Sequence, residues 1–195
     1  MHEHYPDTHH DQYSRTIFGF WLYLMSDCIL FGVLFAVYAV LRNSTFGGPS
    51  ASEILNLRSA LAETLIMLTS SFTCGLALFA AYRKNVTRVI AWIGLTFLLG
   101  AAVLTLALMD FSQLIHEGNS WQRSGFLSAF FGLLGMHGLH ISGGLVWMAV
   151  LVPQLLIRGL TSVTFRRLMC LKMFWQFLNI VWVFIYTFVY LMGAR

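Results

Sequence analysis

The sequence has few charged residues, which argues against a soluble architecture, and it also has few prolines. Asp, Glu, Lys and Arg make up 10% of the 195 residues, whereas a soluble domain usually carries about 25%. Hydrophobic residues make up 58%, a composition typical of membrane proteins. There are three prolines, no internal repeat and no Ser- or Gly-rich linker, so nothing indicates a second, water-soluble domain.

Cysteine is also scarce, and its positions predict no chemistry. None of the three cysteines forms a CxxC pair. Cys28 and Cys74 lie in apolar segments, and Cys170 is predicted in a loop. We expect all three to act as small hydrophobic side chains.

Long apolar runs predict an all-α integral membrane protein with five transmembrane helices in a bundle. A run of about 20 apolar residues can cross a bilayer as a helix, and backbone groups in lipid must be satisfied within the segment. Residues 18–195 form the predicted membrane domain, and residues 1–17 a polar, disordered tail. The first run is too long for a signal peptide and has no small-residue cleavage site. The predicted spans are Phe18–Leu41, Ala60–Tyr82, Val89–Met109, Phe126–Val152 and Phe174–Met192.

The distribution of Lys and Arg predicts a cytoplasmic N-terminus and a periplasmic C-terminus, because cytoplasmic loops carry the excess of basic residues. Trp21 and Trp175 are expected in the aromatic belt at the cytoplasmic interface. The net charge of +4 is explained by this bias and by anionic lipid, so no nucleic-acid partner is predicted. Eight basic residues fall on the N-terminal side (Arg15, Arg83, Lys84, Arg88, Arg158, Arg166, Arg167, Lys172) and four on the other (Arg42, Arg58, Arg123, Arg195).

The N-terminal stretch "MHEHYPDTHHDQYS" holds four of the seven histidines. Histidine-rich tracts can bind metal, but a short polar tail without an apolar face is typical of disorder. We therefore predict no metal site here.

Seven polar residues inside or at the ends of the apolar runs are the candidate site residues. Such groups in a membrane segment usually face the bundle interior and find partners there. Asp27 is expected near mid-membrane, and a spacing of three puts His137 and His140 on one helix face. The candidates, for buried polar packing or proton handling, are Asp27, Glu63, Asp110, His137, His140, Gln176 and Asn179.

The residue types in this set argue against a redox centre. Two histidines three residues apart on one helix cannot bind opposite sides of one haem iron, and a copper or di-iron site needs more ligands. The sequence therefore predicts no catalytic, cofactor-binding or metal-binding residue. A hydrogen-bonded packing cluster and a proton-handling site both remain open. The glycines of the fourth span are expected to admit a neighbouring backbone; they are Gly132, Gly135, Gly138, Gly143 and Gly144.

Four stretches carry a family resemblance that covers about Ile17 to Met192. They are "FGFWLYLMSDCILFGVLFAVYAVL", "RSGFLSAFFGLLGMHGLHISGGLVWMAVL", "RGLTS" with "RLMCL", and the apolar C-terminal span. The chain resembles subunit III of the bacterial haem-copper terminal oxidases, and most closely the bo-type ubiquinol oxidase branch. The "HGLH" in a glycine-rich helix and the acid that follows a serine in the first span are the most distinctive matches.

The resemblance implies a non-catalytic subunit of a proton-pumping quinol oxidase in the bacterial cytoplasmic (inner) membrane. In this family, subunit III has no cofactor and packs on subunit I, which holds haem and copper. Subunits II and IV complete the complex, and phospholipid fills a cleft between helices. The implied role is to stabilise subunit I and to support proton uptake. Five spans favour the quinol oxidase branch over the seven-helix cytochrome c oxidase version.

At four of the candidate positions this chain matches the residues that the family carries, and at two it differs from them. Asp27 and Asp110 stand where the family carries acids, and His137 and His140 match its histidine pair. The family usually has His and Asp where this chain has Gln176 and Asn179, which weakens a proton-carrying role there. Two other functional classes remain open from the sequence. One is a small proton-coupled transporter, which would show internal repeats and helices broken by Gly or Pro at midplane. The other is a haem-bearing membrane anchor.

Overall fold

The structure, a computed structural model, describes residues 8–45, 47 and 57–193, with side chains described from residue 14 onward. Within those residues the chain forms five long helices and no strand. All five helices are long and apolar enough to cross a membrane, which confirms the predicted fold class. They are α1 (Thr8–Leu41), α2 (Leu57–Tyr82), α3 (Val86–His116), α4 (Gly125–Arg158) and α5 (Ser162–Ile185), and α5 continues into a π-helical segment (Tyr186–Leu191).

Four helices extend well beyond the predicted spans, because hydropathy marks the bilayer core while helices end at capping residues. The side chains of Asn85, Ser124 and Thr161 accept hydrogen bonds from backbone N–H groups and so cap α3, α4 and α5. Pro153 directly follows the predicted fourth span but lies inside α4, where its ring removes one backbone hydrogen bond and crowds the preceding turn.

Two further sequence predictions are wrong for the same reason. Residues 8–17 were predicted as part of a disordered tail, but they form the first turns of α1; residues 1–7 lie outside the described residues. Cys170 was predicted in a loop, but it is buried in α5. Neither the stretch from Thr8 to Ile17 nor that from Ser162 to Met173 contains Pro or Gly, so a helix can continue through the polar interface.

Short turns make α2 antiparallel to α3, and α4 antiparallel to α5. α2 ends where Lys84 adopts a left-handed φ of 54°, and Asn85 N donates to the carbonyl of Ala80 at 3.2 Å. At the opposite end of the bundle, Phe126 N at the start of α4 donates to the carbonyl of Ser44 after α1, at 3.3 Å. The first turns of α1 and α5 therefore lie at one end of the bundle, and the π-helical segment lies at the other. The predicted membrane orientation remains a prediction.

Trp175 organises the packing of α2, α3, α4 and α5. Its indole is fully buried, and Nε1 donates to Ser70 Oγ of α2 at 2.9 Å. The ring lies against Gly100 of α3 and Gly144 of α4, where an added Cβ would lie 2.7 Å and 2.9 Å from ring carbons. The prediction that Trp175 belongs to an interfacial belt is wrong, because two glycines leave room for the ring in the core. Trp21 is half exposed.

A ladder of hydrogen bonds through small hydroxyl side chains extends this contact. Thr73 Oγ1 and Thr96 Oγ1 are 2.8 Å apart and join α2 to α3. Trp182 Nε1 donates to Thr64 Oγ1 at 3.0 Å and joins α5 to α2. Without a hydrophobic driving force between helices in lipid, such bonds and close packing hold the bundle together.

Candidate functional site

Asp27 of α1 and His140 of α4 form a contact between titratable side chains within the predicted membrane core. Asp27 Oδ2 lies 3.7 Å from His140 Nε2, and each side chain is 10% exposed. This Oδ2 has no hydrogen-bond partner among the described residues, while the Tyr23 side chain, one turn earlier, hydrogen-bonds to Asp27. The structure thus places together two residues that are 113 positions apart in the sequence.

The hydrogen bonds of His140 determine which of its nitrogens carries a proton. Nδ1 lies 2.8 Å from the carbonyl oxygen of Met136, and a carbonyl can only accept, so Nδ1 carries a hydrogen. A neutral ring then turns the lone pair of Nε2 towards Asp27. Because Nε2 and Oδ2 are 3.7 Å apart, the two groups are in electrostatic contact but are too far apart for a normal hydrogen bond. Asp27 and His140 therefore make up a polar pair that joins α1 to α4.

His137 holds α4 against α5 beside this pair. Its Nε2 lies 3.2 Å from the carbonyl oxygen of Leu178 and therefore donates to it. The imidazole is fully buried and lies 5.3 Å from the ring of Trp182. Phe31 of α1 packs against both histidines, with centroid distances of 6.4 Å to His137 and 5.2 Å to His140. The two histidines therefore have different partners: His137 contacts α5, and His140 lies beside Asp27 of α1.

Glu63 and Asp110 form a second polar group, near the C-terminal end of α1. Glu63 is 2% exposed, and its Oε1 has no hydrogen-bond partner in the described part of the chain. Asp110 Oδ2 accepts from Ser59 Oγ at 3.2 Å, and the two acids interact electrostatically. Tyr190 of the π-helical segment is buried and interacts electrostatically with both acids.

Gln176 and Asn179, the two candidates on α5, differ in their exposure. Gln176 is exposed on the surface of α5, whereas Asn179 is half-buried. Asn179 Oδ1 is buried and finds no hydrogen-bond partner among residues 14–45 and 57–193. A spacing of three leaves two side chains about 60° apart around a helix, so one can face the bundle while the other faces outward. Within this chain Gln176 is therefore not buried, and its role in polar packing stays a prediction.

The sequence analysis missed several residues that complete these groups. Tyr23 precedes Asp27 by four positions, a spacing that puts both on one helix face and could have been noticed. Thr64, Ser70 and Thr96 could have been found as hydroxyls within apolar runs, which often bond across membrane helices. Tyr190 had no local signal, because the π-helical segment sets its direction.

Metal-ligating side chains are dispersed in the part of the chain that the structure describes. No group of three or more His, Cys, Asp or Glu side chains there lies close enough together to hold a metal ion. The four histidines of the N-terminal stretch lie outside the described side chains. The Asp27–His140 pair offers two ligating groups and joins α1 to α4.

Comparison with known proteins gives consistent results over nearly the whole chain. The family model for "Cytochrome c oxidase subunit III" matches residues 3–194. The chain is 53% identical to the "Cytochrome bo(3) ubiquinol oxidase subunit 3" of Pseudomonas aeruginosa over 193 residues, which cover 99% of this chain and 91% of that protein. It is 40% identical to the "Quinol oxidase subunit 3" of Bacillus subtilis over 177 residues, or 91% and 87% of the two chains.

The chain also matches a relative whose name gives cytochrome c, rather than a quinol, as the electron donor. The chain is 39% identical to the "Cytochrome c oxidase subunit 3" of Bacillus sp. (strain PS3) over 175 residues, or 90% of this chain and 84% of that protein. The match therefore identifies the subunit family more firmly than the electron donor. With five membrane-spanning helices, the "HGLH" histidines in α4 and a family match from end to end, the chain belongs to the cytochrome c oxidase subunit III family and is a non-catalytic subunit of a respiratory terminal oxidase.

Proposed function

We propose that the chain is subunit III of a bo-type ubiquinol oxidase in the bacterial inner membrane. The observation that carries the proposal is the 53% identity over 99% of the chain to a relative with that name. In the proposed complex, subunit I holds the haem and copper and reduces oxygen to water. Subunits II and IV and membrane phospholipid complete the assembly.

The proposed role of the chain is to stabilise subunit I by packing against it in the membrane. Large apolar side chains cover the outer faces of the helices; Ile29 and Leu139, for example, are 70% and 67% exposed. An open face of α4 also carries Gly132, Gly135 and Gly143, where an added Cβ would meet no described atom within 4 Å. Such a surface suits close contact with another membrane helix.

The Asp27–His140 pair is proposed to hold α1 against α4 and α5. A second role, proton handling at the edge of subunit I, is favoured by one specific observation: Asp27 Oδ2 is buried without a hydrogen-bond partner among the described residues. A carboxyl oxygen with spare capacity can accept a proton or a water that arrives from outside the chain. The Discussion describes variants that separate the two roles.

Deleting the chain is expected to leave the haem spectrum of the remaining oxidase unchanged, because the chain is proposed to supply no ligand to haem or copper. The measurement is a reduced-minus-oxidised difference spectrum of the purified complex with and without the chain, at equal subunit I content. Thermal half-life should fall in the same preparation. Loss of a haem signal while subunit I remains assembled would contradict the proposal.

The electron donor is tested separately with the complete complex. Oxygen consumption is expected with ubiquinol and not with reduced cytochrome c, both at saturating concentration. Purification through a tag on this chain should also recover a large haem-bearing subunit. If the chain migrates alone, or if cytochrome c is the better donor, the ubiquinol oxidase assignment is wrong.

A further inference from the structure

Two acids, Glu63 of α2 and Asp110 of α3, lie close together near the predicted periplasmic end of the bundle. Ser59 Oγ of α2 donates to Asp110 Oδ2 of α3 at 3.2 Å, so these two residues lie at the same depth. Glu63 follows Ser59 by one helical turn, a spacing that puts both on one face of α2. The two acids are therefore separated along the helix axis by about 6 Å, and their carboxyl groups interact electrostatically.

The Glu63 side chain is enclosed by the bundle without a hydrogen-bond donor. It is 2% exposed, and no described residue hydrogen-bonds to its Oε1. Beside it, Trp182 Nε1 donates to Thr64 Oγ1 at 3.0 Å, and the buried ring of Tyr190 lies 6.3 Å from that of Trp182. Tyr190 belongs to the π-helical segment, a rare conformation that is frequent at functional sites.

The charged groups around the two acids do not compensate a second buried negative charge. Tyr38 of α1, which interacts electrostatically with Tyr190, is neutral as a phenol. A guanidinium in water compensates a buried carboxylate only weakly. A carboxylate without a donor is costly to bury, and two carboxylates in contact repel each other. The other titratable or basic groups described at this end are all exposed: Arg42, Arg58, His116, Glu117 and Arg123.

We propose that Glu63 and Asp110 hold one proton between them, as a neutral carboxylic acid on Glu63 beside an ionised Asp110. Asp110 is the ionised member because Ser59 donates to it, and a hydrogen bond to a carboxylate favours its charged form. Glu63, which has no donor at Oε1 among the described residues, keeps the proton. This proton-binding site is separate from the Asp27–His140 pair and does not depend on the oxidase assignment.

Infrared spectroscopy of the purified full-length chain in detergent tests where the proton lies at neutral pH. We expect the unmodified chain to show a C=O stretching band of a protonated carboxyl that Glu63→Gln lacks and that shifts on exchange into D₂O. Glu117→Gln, which removes an exposed acid at the same end, is the matched control and should retain every such band. The same protonated-carboxyl bands in Glu63→Gln as in the unmodified chain would overturn the proposal.

The unfolding temperature should depend on pH through the same proton. An unfolded chain exposes both carboxyls to water, where they ionise above about pH 4–5, so a proton retained in the folded chain makes stability fall as pH rises. Between about pH 6 and about pH 9, we expect the unfolding temperature of the unmodified chain to fall at least about 3 °C further than that of Glu63→Gln. Glu117→Gln should follow the unmodified chain. Equal pH dependence in the unmodified chain and in Glu63→Gln would contradict the shared proton.

A second variant keeps the proposal testable if Glu63→Gln does not fold. Asp27→Asn removes the other buried acid of the described helices, so any protonated-carboxyl band that it retains at neutral pH belongs to the Glu63–Asp110 pair. We expect one such band, and its absence would overturn the proposal.

A metal cation held by two ionised carboxylates is distinguished by salt. The unfolding temperature of the unmodified chain should be the same in sodium, calcium and choline chloride at equal ionic strength. A rise with sodium or calcium in the unmodified chain that Glu117→Gln retains and Glu63→Gln loses would show a metal site in place of the proton.

Discussion

Replacing Asp27 by leucine is expected to shorten the thermal half-life of the oxidase complex several-fold, whereas asparagine should preserve both half-life and initial turnover. Leucine leaves Nε2 of His140 without its contact partner in the membrane core. A buried polar group without a partner costs about 1–3 kcal/mol, which corresponds to roughly a tenfold shift in a packing equilibrium.

Asparagine fits the same place because of the tautomer that the structure dictates. With Nδ1 of His140 donating to the Met136 carbonyl, Nε2 of the neutral ring accepts. An asparagine amide at position 27 can donate a hydrogen bond to this nitrogen. The packing contact is therefore kept while the titratable proton is removed.

The measurement is initial ubiquinol oxidase turnover, normalised to haem, with thermal half-life recorded in parallel. Cys28→Leu is the matched control, since Cys28 is the next residue of α1 and is exposed. A large fall in initial turnover for Asp27→Asn, with normal assembly and half-life, would show that the pair handles protons. The packing role would then be secondary.

Replacing Gly100 by alanine is expected to lower the stability of the chain by about 1–3 kcal/mol, the usual cost of overpacking a filled core. The new Cβ would lie 2.7 Å from Cη2 and 2.8 Å from Cζ2 of Trp175. That ring is enclosed on its other side by Gly144 and is held by its hydrogen bond to Ser70. It cannot move away without losing a buried contact.

Gly94→Ala, six residues earlier on the same helix, is the matched control. A Cβ there would meet no described atom within 4 Å, so alanine should be neutral or stabilising by about 0.5–1 kcal/mol through its helix propensity. The measurement is the thermal unfolding midpoint of both variants in the same detergent. Equal midpoints for Gly100→Ala and Gly94→Ala would contradict the proposed role of Trp175 in the packing.

The same contacts correct the expectation about the glycines of α4. Gly132, Gly135 and Gly143 were expected to admit a neighbouring backbone, but within the described residues a Cβ at each would meet nothing within 4 Å. Gly138 has only an ordinary contact with Leu104, at 3.9 Å. Gly144 is tightly packed, against side-chain rings rather than backbone. Any closer approach at the three open positions requires another chain.

The sequence by itself determined the class of the protein, the number of membrane helices and the family. Lipid cannot hydrogen-bond a backbone, so each long apolar run must be helical, and five runs therefore gave five helices. The acid of α1 and the "HGLH" histidines were also found from the sequence, because polar groups inside such runs are rare.

Only the tertiary structure decided which side of each helix faces the bundle. In a soluble protein, hydrophobicity separates the buried face from the exposed one, but here the surroundings are as apolar as the core. Ile29, facing outward, is as hydrophobic as the buried Ile141. Gln176 could therefore be predicted inside yet lie outside, and Gly100 gave no signal at all. The rotation of each helix depends on side-chain contacts such as those of Trp175, which form only when residues far apart in sequence pack together.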